Sequence, residues 1–483
     1  MNLPDLGVGL TWLKGMGAVL EANSNSIDVL EVEPQAFWRS SLSASAPVVD
    51  EAALATLRLV PTPKLIHSVG LPVGGTHPPG SAELDALRSA ALQLEAPWVS
   101  EHLSFNRVSE GNSTWHAGFL LPPRQTQAGV EAAVSSIKTF SSRMPVPVLL
   151  EGSVSYLQPR RDELPDGEFV ARVADEADCG ILLDLQNVWM NQHHGRQSVG
   201  DYIDHLPLER VWEVHVAAGS SHRSYCLDAH PGPATADLLE LASRIVPRLP
   251  SLKALVFELF PSCTARLTPQ VVRSQLDALH RIWDRRNTSS YSRPRVRSHH
   301  HLDSGPGPLE WEATLAALTA HKKCSGGLAD ELCADPGLSI MRGMVDRYRG
   351  SLIVRTLRLS SRLIILERGM GYLEQLMKAY WKLHPPQACA FHEAEAFAAY
   401  LRAEKPYVPF LPEVLEYDRA VIAVALHGEE RLVPFRADPL PLLDALGAGR
   451  RPTHVTTGDF EVRLTPDKVA ADAAALAQVQ MIH

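Results

Sequence analysis

The chain has 483 residues, 45% hydrophobic and 21% charged, with a net charge of −9. That length predicts two or three domains, and the acidic balance argues against a broad electrostatic footprint for nucleic acid. No apolar run is long enough to cross a bilayer, no signal peptide is visible in MNLPDLGVGLTWLKG, and six scattered cysteines form no CxxC pair, so the expectation is a cytoplasmic protein with no membrane partner.

In chain order, short apolar runs alternate with amphipathic stretches. The runs are GVGLTW (7–12), DVLEVE (28–33), PKLIHSV (63–69), PWVSEHL (97–103), VPVLLE (146–151), GILLDL (180–185), VWEVHV (211–216) and ALVFEL (254–259). They are nearly continuous in apolar character, as strands buried on both faces are. Helical patterns such as AELDALRSAALQL (82–94), EFVARVADEA (168–177) and ADLLELASRIVPRL (236–249) lie between them. Eight strands alternating with helices over this length predict a TIM (β/α)8 barrel across residues 1–286. A doubly wound open sheet would advertise a glycine-rich turn after its first strand, and Gly15-Met16-Gly17 lacks the third glycine.

Residues 287–308 read NTSSYSRPRVRSHHHLDSGPGP, a polar segment without periodicity that predicts an inter-domain linker. Its run His299-His300-His301 reads as solvated linker. Residues 309–483 read as a mainly helical (α+β) domain, with helical stretches from LEWEATLAALTAH to LPEVLEYDRAVIAVAL and strands about the Gly-Asp turn of THVTTGDFEVRL.

The chemistry lies in how the barrel strands end. The third run carries His67, the fourth Glu101-His102, the fifth Glu151, the sixth Asp184, the seventh His215 and the eighth Glu258; the loop DAHPGP after the seventh adds Asp228 and His230. In a TIM barrel the C-terminal strand ends converge on one mouth. Carboxylates and imidazoles crowded there need a cation, or they repel and take up protons. A mixed imidazole–carboxylate set without thiolate suits Fe, Mn, Zn or Ni. It exceeds the needs of one four-coordinate zinc, which suggests two or three metals with Glu151 bridging.

On GVGLTW, DVLEVEPQAF, HSVGLPVGG, SEHLSF, LLEGSVSYL, LLDLQNVWMNQHHG, EVHVAAG, DAHPGP and VFELF, in this order over residues 5–285, the chain resembles the multinuclear non-haem iron-dependent oxidative enzymes, the group that includes the methanobactin-biosynthesis oxidase. The resemblance implies an iron- and dioxygen-dependent oxidation of a ribosomally made precursor peptide, at a cysteine. It implies His67, His102, Glu151, Asp184, His215, Asp228, His230 and Glu258 as iron ligands for two or three irons of mixed valence, with Glu151, Asp184 and His215 at the catalytic centre. Asn187 stands where some members have a histidine ligand, Gly152 where Asn is common and Pro231 where Gly is common. His193 and His194 lie near enough to the mouth to add a ligand. DPGLSIMRGMV, FAAYL and LPEVLEYDRAV resemble the family's peptide-binding partner subunit, here fused in the same chain; a homo-oligomer stays open.

Two rival readings use the same residues. A Zn- or Mn-dependent isomerase or phosphoesterase on a similar barrel would need no dioxygen. A non-catalytic metal and peptide carrier would bind without changing the peptide. Cys226 reads as a buried structural thiol. Trp12 and Trp189 follow strand ends and suit either a peptide channel or core packing, and Arg107 and Lys14 suit either an acidic peptide or plain surface.

Overall fold

A computed structural model describes residues 3–39, 47–110, 113–222, 225–227, 232–261, 267–287, 305–387 and 389–469. Eight strands close into a parallel barrel: β1 (Gly7–Thr11), β2 (Val29–Val32), β3 (Lys64–Ser68), β4 (Val99–His102), β5 (Val148–Glu151), β6 (Gly180–Asp184), β7 (Val211–Val216) and β8 (Ala254–Phe257). Each pairs with its neighbours in sequence, and β8 closes on β1. All eight fall within the runs read from the sequence, and the architecture is the expected (β/α)8 barrel.

The helices of this half are α1 (Gly17–Ala22), α2 (Glu51–Arg58), α3 (Ser81–Gln93), α4 (Gln127–Arg143), α5 (Asp166–Ala177), α6 (Leu185–His193), α7 (Val199–His205), α8 (Ala236–Ile245) and α9 (Pro269–Trp283). Several start where a short polar side chain accepts an otherwise orphaned N–H of the first turn, as Thr126, Ser198, Thr235 and Thr268 do.

Alternation along each strand sorts its residues into two layers. Outward positions such as Leu10, Leu30, Ile66, Val99, Leu150, Leu183, Val214 and Phe257 join the large core under the helices. Inward positions Val29, Leu65, Trp98, Leu149, Leu182, Ala254 and Val256 form a small apolar cluster that fills the barrel's lower end, with Leu3 and Leu6 packed against it. The inward residues above that cluster are polar, and they build the site. Two hairpins rise from the same rim, Phe105–Glu110 with Ser113–Leu121 and Ser220–His222 with Tyr225–Leu227.

Beyond the barrel come α10 (Pro308–Thr319), α11 (Gly327–Ala334), α12 (Pro336–Thr356), α13 (Arg358–Arg368), α14 (Met370–Leu383), α15 (Ala390–Glu404), α16 (Leu411–His427) and α17 (Pro439–Gly447). An antiparallel hairpin pairs Arg431–Ala437 with Thr457–Leu464. Helices α13–α17 and the hairpin, with the end of α12, share one core, from Ile353 to Leu464. Helices α10–α12 instead pack on the barrel rim, where Trp311, Leu315, Leu338 and Met341 meet Phe105, Val108, Tyr156 and Leu157. Trp311 lies between the guanidinium groups of Arg124 and Arg160, at 4.9 and 4.8 Å from its ring, and donates from Nε1 to the Pro122 carbonyl at 2.9 Å. Of the segment read as a linker, residues 288–304, including His299–His301, lie outside the described residues. No described helix is long and apolar enough to cross a membrane.

Candidate metal centre

Strand register brings the polar residues together. On neighbouring strands His102 stands beside Glu151, and Asp184 beside His215. Contacts across the barrel confirm that these side chains point inward: the rings of His67 on β3 and His215 on β7 lie 5.3 Å apart. Glu151 occupies the middle. Its Oε2 is 3.4 Å from Nε2 of both His67 and His102, and its Oε1 accepts from Asn187 Nδ2 at 2.9 Å. Two groups of potential ligand atoms share it, each spanning less than 4.8 Å: His67, His102 and Glu151, and Glu151, Asp184 and His215. Glu258 Oε2 reaches His215 Nδ1 at 3.2 Å.

Each histidine is held from behind. His67 Nδ1 meets Ser100 Oγ at 2.9 Å, while that hydroxyl donates to the Ile66 carbonyl at 3.3 Å. His102 Nδ1 faces Glu101 Oε1 at 3.3 Å. Glu101 is fixed in turn by Ser68 Oγ at 2.6 Å and the Leu71 amide at 2.9 Å. His215 Nε2 meets Glu31 Oε2 at 2.7 Å. Asp184 caps α6 by accepting from the Asn187 amide at 2.9 Å, so the start of that helix is tied to the site.

Burial and crowding disturb the charges. Burial pushes the Glu31 carboxyl up to about 8 against the pull of His215. Burial works against a charge on His102, yet Glu151, Glu101 and Glu258 outweigh it and raise the imidazole to about 10. His215 is likewise raised well above its usual value, burial being overcome by Glu31 and Glu258. A buried site that collects protons in this way is one where a cation can replace them. The donors are imidazole nitrogens and carboxylate oxygens. Asn187 Oδ1 is also buried there and meets no hydrogen-bond donor among the described residues. This set fits one or more divalent first-row metals.

Of the residues singled out in the sequence, His67, His102, Glu151, Asp184, His215 and Glu258 converge at the mouth. Asp228, His230 and Pro231 lie outside the described residues. His194 is no spare ligand, because Nδ1 meets the Ser155 carbonyl at 3.0 Å and Nε2 meets the Cys226 backbone at 3.1 Å. His193 packs against Trp189 with ring centres 3.7 Å apart and the rings tilted by 36°, and its Nδ1 meets the Trp189 carbonyl. Trp12 stacks on Phe37, and Arg107 pairs with Glu83. The Tyr202 hydroxyl fills the space that a side chain at Gly152 would take. Two residues of the site escaped the sequence reading, Glu31 and Glu213, both fully buried and both grouped with His215. Glu213 sits two residues before His215, on the same face of β7, and that spacing was the available signal.

Residues 7–259 match the family model described as RiPP precursor modification enzyme MbnB/TglH/ChrH, RiPP denoting a ribosomally synthesised and post-translationally modified peptide. The chain belongs to this family. The match spans the barrel from β1 to just past Glu258, and α10–α17 lie beyond it. A UPF0276 protein of Anaeromyxobacter sp. is 32% identical over 247 residues, covering 50% of this chain and 85% of that protein. One from Acaryochloris marina is 30% identical over 196 residues, covering 40% and 69%. Among solved structures, D-psicose 3-epimerase in the presence of D-fructose aligns with a TM-score of 0.37 at 13% identity, over 57% of this chain and 99% of that one. Endonuclease IV from Thermus thermophilus aligns with a TM-score of 0.35 at 16% identity, over 58% and 98%.

Proposed function

We propose that this RiPP precursor modification enzyme holds two or three iron ions on His67, His102, Glu151, Asp184, His215, Asp228, His230 and Glu258 and uses dioxygen to oxidise a precursor peptide, at a cysteine. The observation that carries the reading is the position of Glu151, with one oxygen at 3.4 Å from two imidazoles and within ligand reach of Asp184 and His215, as a bridging carboxylate requires. Bound iron would supply one-electron chemistry with dioxygen and a seat for a thiolate. The chain's own part is to hold the metals in a dry, rigid mouth and orient each ligand from behind. Glu151, Asp184 and His215 are the residues through which the catalytic work passes.

The helical region is proposed as the peptide-recognition part, fused to the enzyme. Its hairpin, Arg431–Ala437 with Thr457–Leu464, offers strand edges to which an extended peptide can add. Seating a peptide on the chain that carries the metals raises its effective concentration at the mouth.

The test is metal content by mass spectrometry on untagged protein purified without oxygen, with the run His299–His301 replaced. Incubation with a candidate precursor peptide, with and without dioxygen, then follows. Two or more irons per chain and an oxygen-dependent mass change are expected. Tight zinc or manganese, with a product formed equally without oxygen, would favour an isomerase or phosphoesterase. Peptide binding without any mass change would reduce the protein to a carrier.

A further inference from the structure

We infer that Glu31 is the positioning residue that fixes the tautomer of His215, so that His215 presents Nδ1, and not Nε2, to a metal. This rests on the proposed role of His215 as a ligand. Glu31 and His215 sit on β2 and β7, two strands separated in the barrel wall by β8 and β1, and their side chains meet across the interior with both residues fully buried. Oε2 of Glu31 lies 2.7 Å from Nε2 of His215, the distance of a charge-assisted hydrogen bond. The carboxylate is itself aimed: Thr11 Oγ1 donates to its other oxygen at 3.2 Å, and that hydroxyl takes the Leu259 amide at 3.4 Å.

The second carboxylate near Nε2 does not compete. Glu213 Oε1 is 3.8 Å away, and its other oxygen is taken by Trp98 Nε1 at 2.8 Å. Nε2 therefore keeps its proton and gives it to Glu31. Nδ1, on the side where Glu258 Oε2 stands at 3.2 Å, is then the nitrogen whose proton a metal displaces. It meets no hydrogen-bond donor among the described residues.

His67 and His102 are arranged the other way round. Their Nδ1 atoms are occupied by Ser100 and Glu101, and their Nε2 atoms face Glu151. The site thus uses opposite nitrogens of its histidines on its two sides. A ligating imidazole whose far N–H is given to a carboxylate is held in one ring orientation and made more basic. Glu31 does this for His215.

The test needs no substrate. Protein labelled with nitrogen-15 at histidine is stripped of metal and titrated with zinc(II), and the ring nitrogens are followed by long-range proton–nitrogen NMR, with His215→Gln assigning the signal. The expected result is a zinc-induced shift at Nδ1 of His215 with Nε2 protonated throughout, and shifts at Nε2 of His67 and His102. In Glu31→Gln, zinc affinity should fall about 10- to 100-fold while the tautomer persists, because the amide oxygen still accepts the proton. Zinc at Nε2 of His215, or an unchanged affinity in Glu31→Gln, would overturn the inference. No zinc-induced shift at either nitrogen of His215 would remove it from the metal site, and the proposed function would fall with it. The wild-type spectrum decides the tautomer even if the variant does not fold.

Discussion

Asn187 donates from Nδ2 to Glu151 Oε1 at 2.9 Å, so the central carboxylate of the site is held by the first turn of α6. The same residue gives its backbone amide to Asp184. One asparagine therefore orients two of the proposed ligands. Replacing it by alanine removes the bond to Glu151 and leaves the backbone bond to Asp184. Metal affinity should fall by about 10- to 100-fold, the cost of losing a partner behind a ligand. Competition with a chelator of known affinity measures it. Equal affinity in Asn187→Ala and wild type would sink the assignment of Glu151 as a ligand that needs aiming. Asn187→His should raise the metal-to-protein ratio, since an imidazole then replaces an amide beside Asp184.

Metal removal should cost stability. A ligand bound only by the folded chain contributes about 4 kcal/mol when its free concentration is roughly a thousandfold above Kd. A chelator should therefore lower Tm by several degrees. In Glu151→Gln the site loses the carboxylate shared by both ligand groups, and the chelator should no longer move Tm. Differential scanning calorimetry of both proteins with and without chelator checks the pattern. A Glu151→Gln protein that still lost stability on chelation would contradict it.

The barrel was legible because its strands are short apolar runs, and His67, His102, Glu151, Asp184 and His215 were legible because they lie at or near the ends of those runs. Glu31 and Glu213 were not. Glu31 lies inside the apolar run DVLEVE, where sequence alone does not say which alternate face turns inward, and Glu213 lies inside VWEVHV, where its two-residue spacing from His215 was the signal that went unread. The adjacent His193 and His194 look equivalent in the sequence. A helix end separates them, leaving one packed against Trp189 and the other clasped between Ser155 and Cys226. The grip of α10–α12 on the rim was also hidden. Thr76 and Glu312 are joined across 236 positions of chain, and such contacts follow from docking, not from local pattern.

Asp335 makes one of these docking contacts. Its Oδ1 caps α12 by accepting from the Gly337 amide at 2.9 Å, and its Oδ2 accepts from the Gln158 amide at 2.9 Å, in the loop that follows Glu151. Gly337 packs so closely on that loop that a Cβ would meet the Tyr156 carbonyl oxygen at 1.9 Å. Asp335→Ala should destabilise the protein by about 1–2 kcal/mol through the lost cap, and Asp335→Asn, which keeps an acceptor, by much less. Gly337→Ala should be worse than either, since backbone must move to admit the methyl group. Urea unfolding of the three variants tests the order. A Gly337→Ala protein as stable as wild type would show that the loop is not gripped there.

Glu312 joins α10 to the loop that leaves β3, the strand carrying His67. It accepts from the Thr76 amide at 2.9 Å and from Thr76 Oγ1 at 2.5 Å, with His77 Nδ1 at 3.8 Å. Burial pushes its carboxyl from 4.5 up to about 7, the two Thr76 bonds only partly opposing it. The folded chain thus binds this proton more tightly than the unfolded chain does. Between those two values the unfolded state has released it and the folded state has not. Stability from the neutral carboxyl is therefore full below about 4.5, declines as pH rises, and is lost above about 7. His77, 3.8 Å away, is itself depressed by burial, which works against a compensating charge beside Glu312. Glu312→Gln keeps the shape and cannot ionise. The stability of wild type relative to Glu312→Gln should fall by about 3 kcal/mol across the window, read as the difference between urea unfolding curves at stepped pH. A difference that is flat, or that grows with pH, would mean that Glu312 is already ionised where it docks on Thr76.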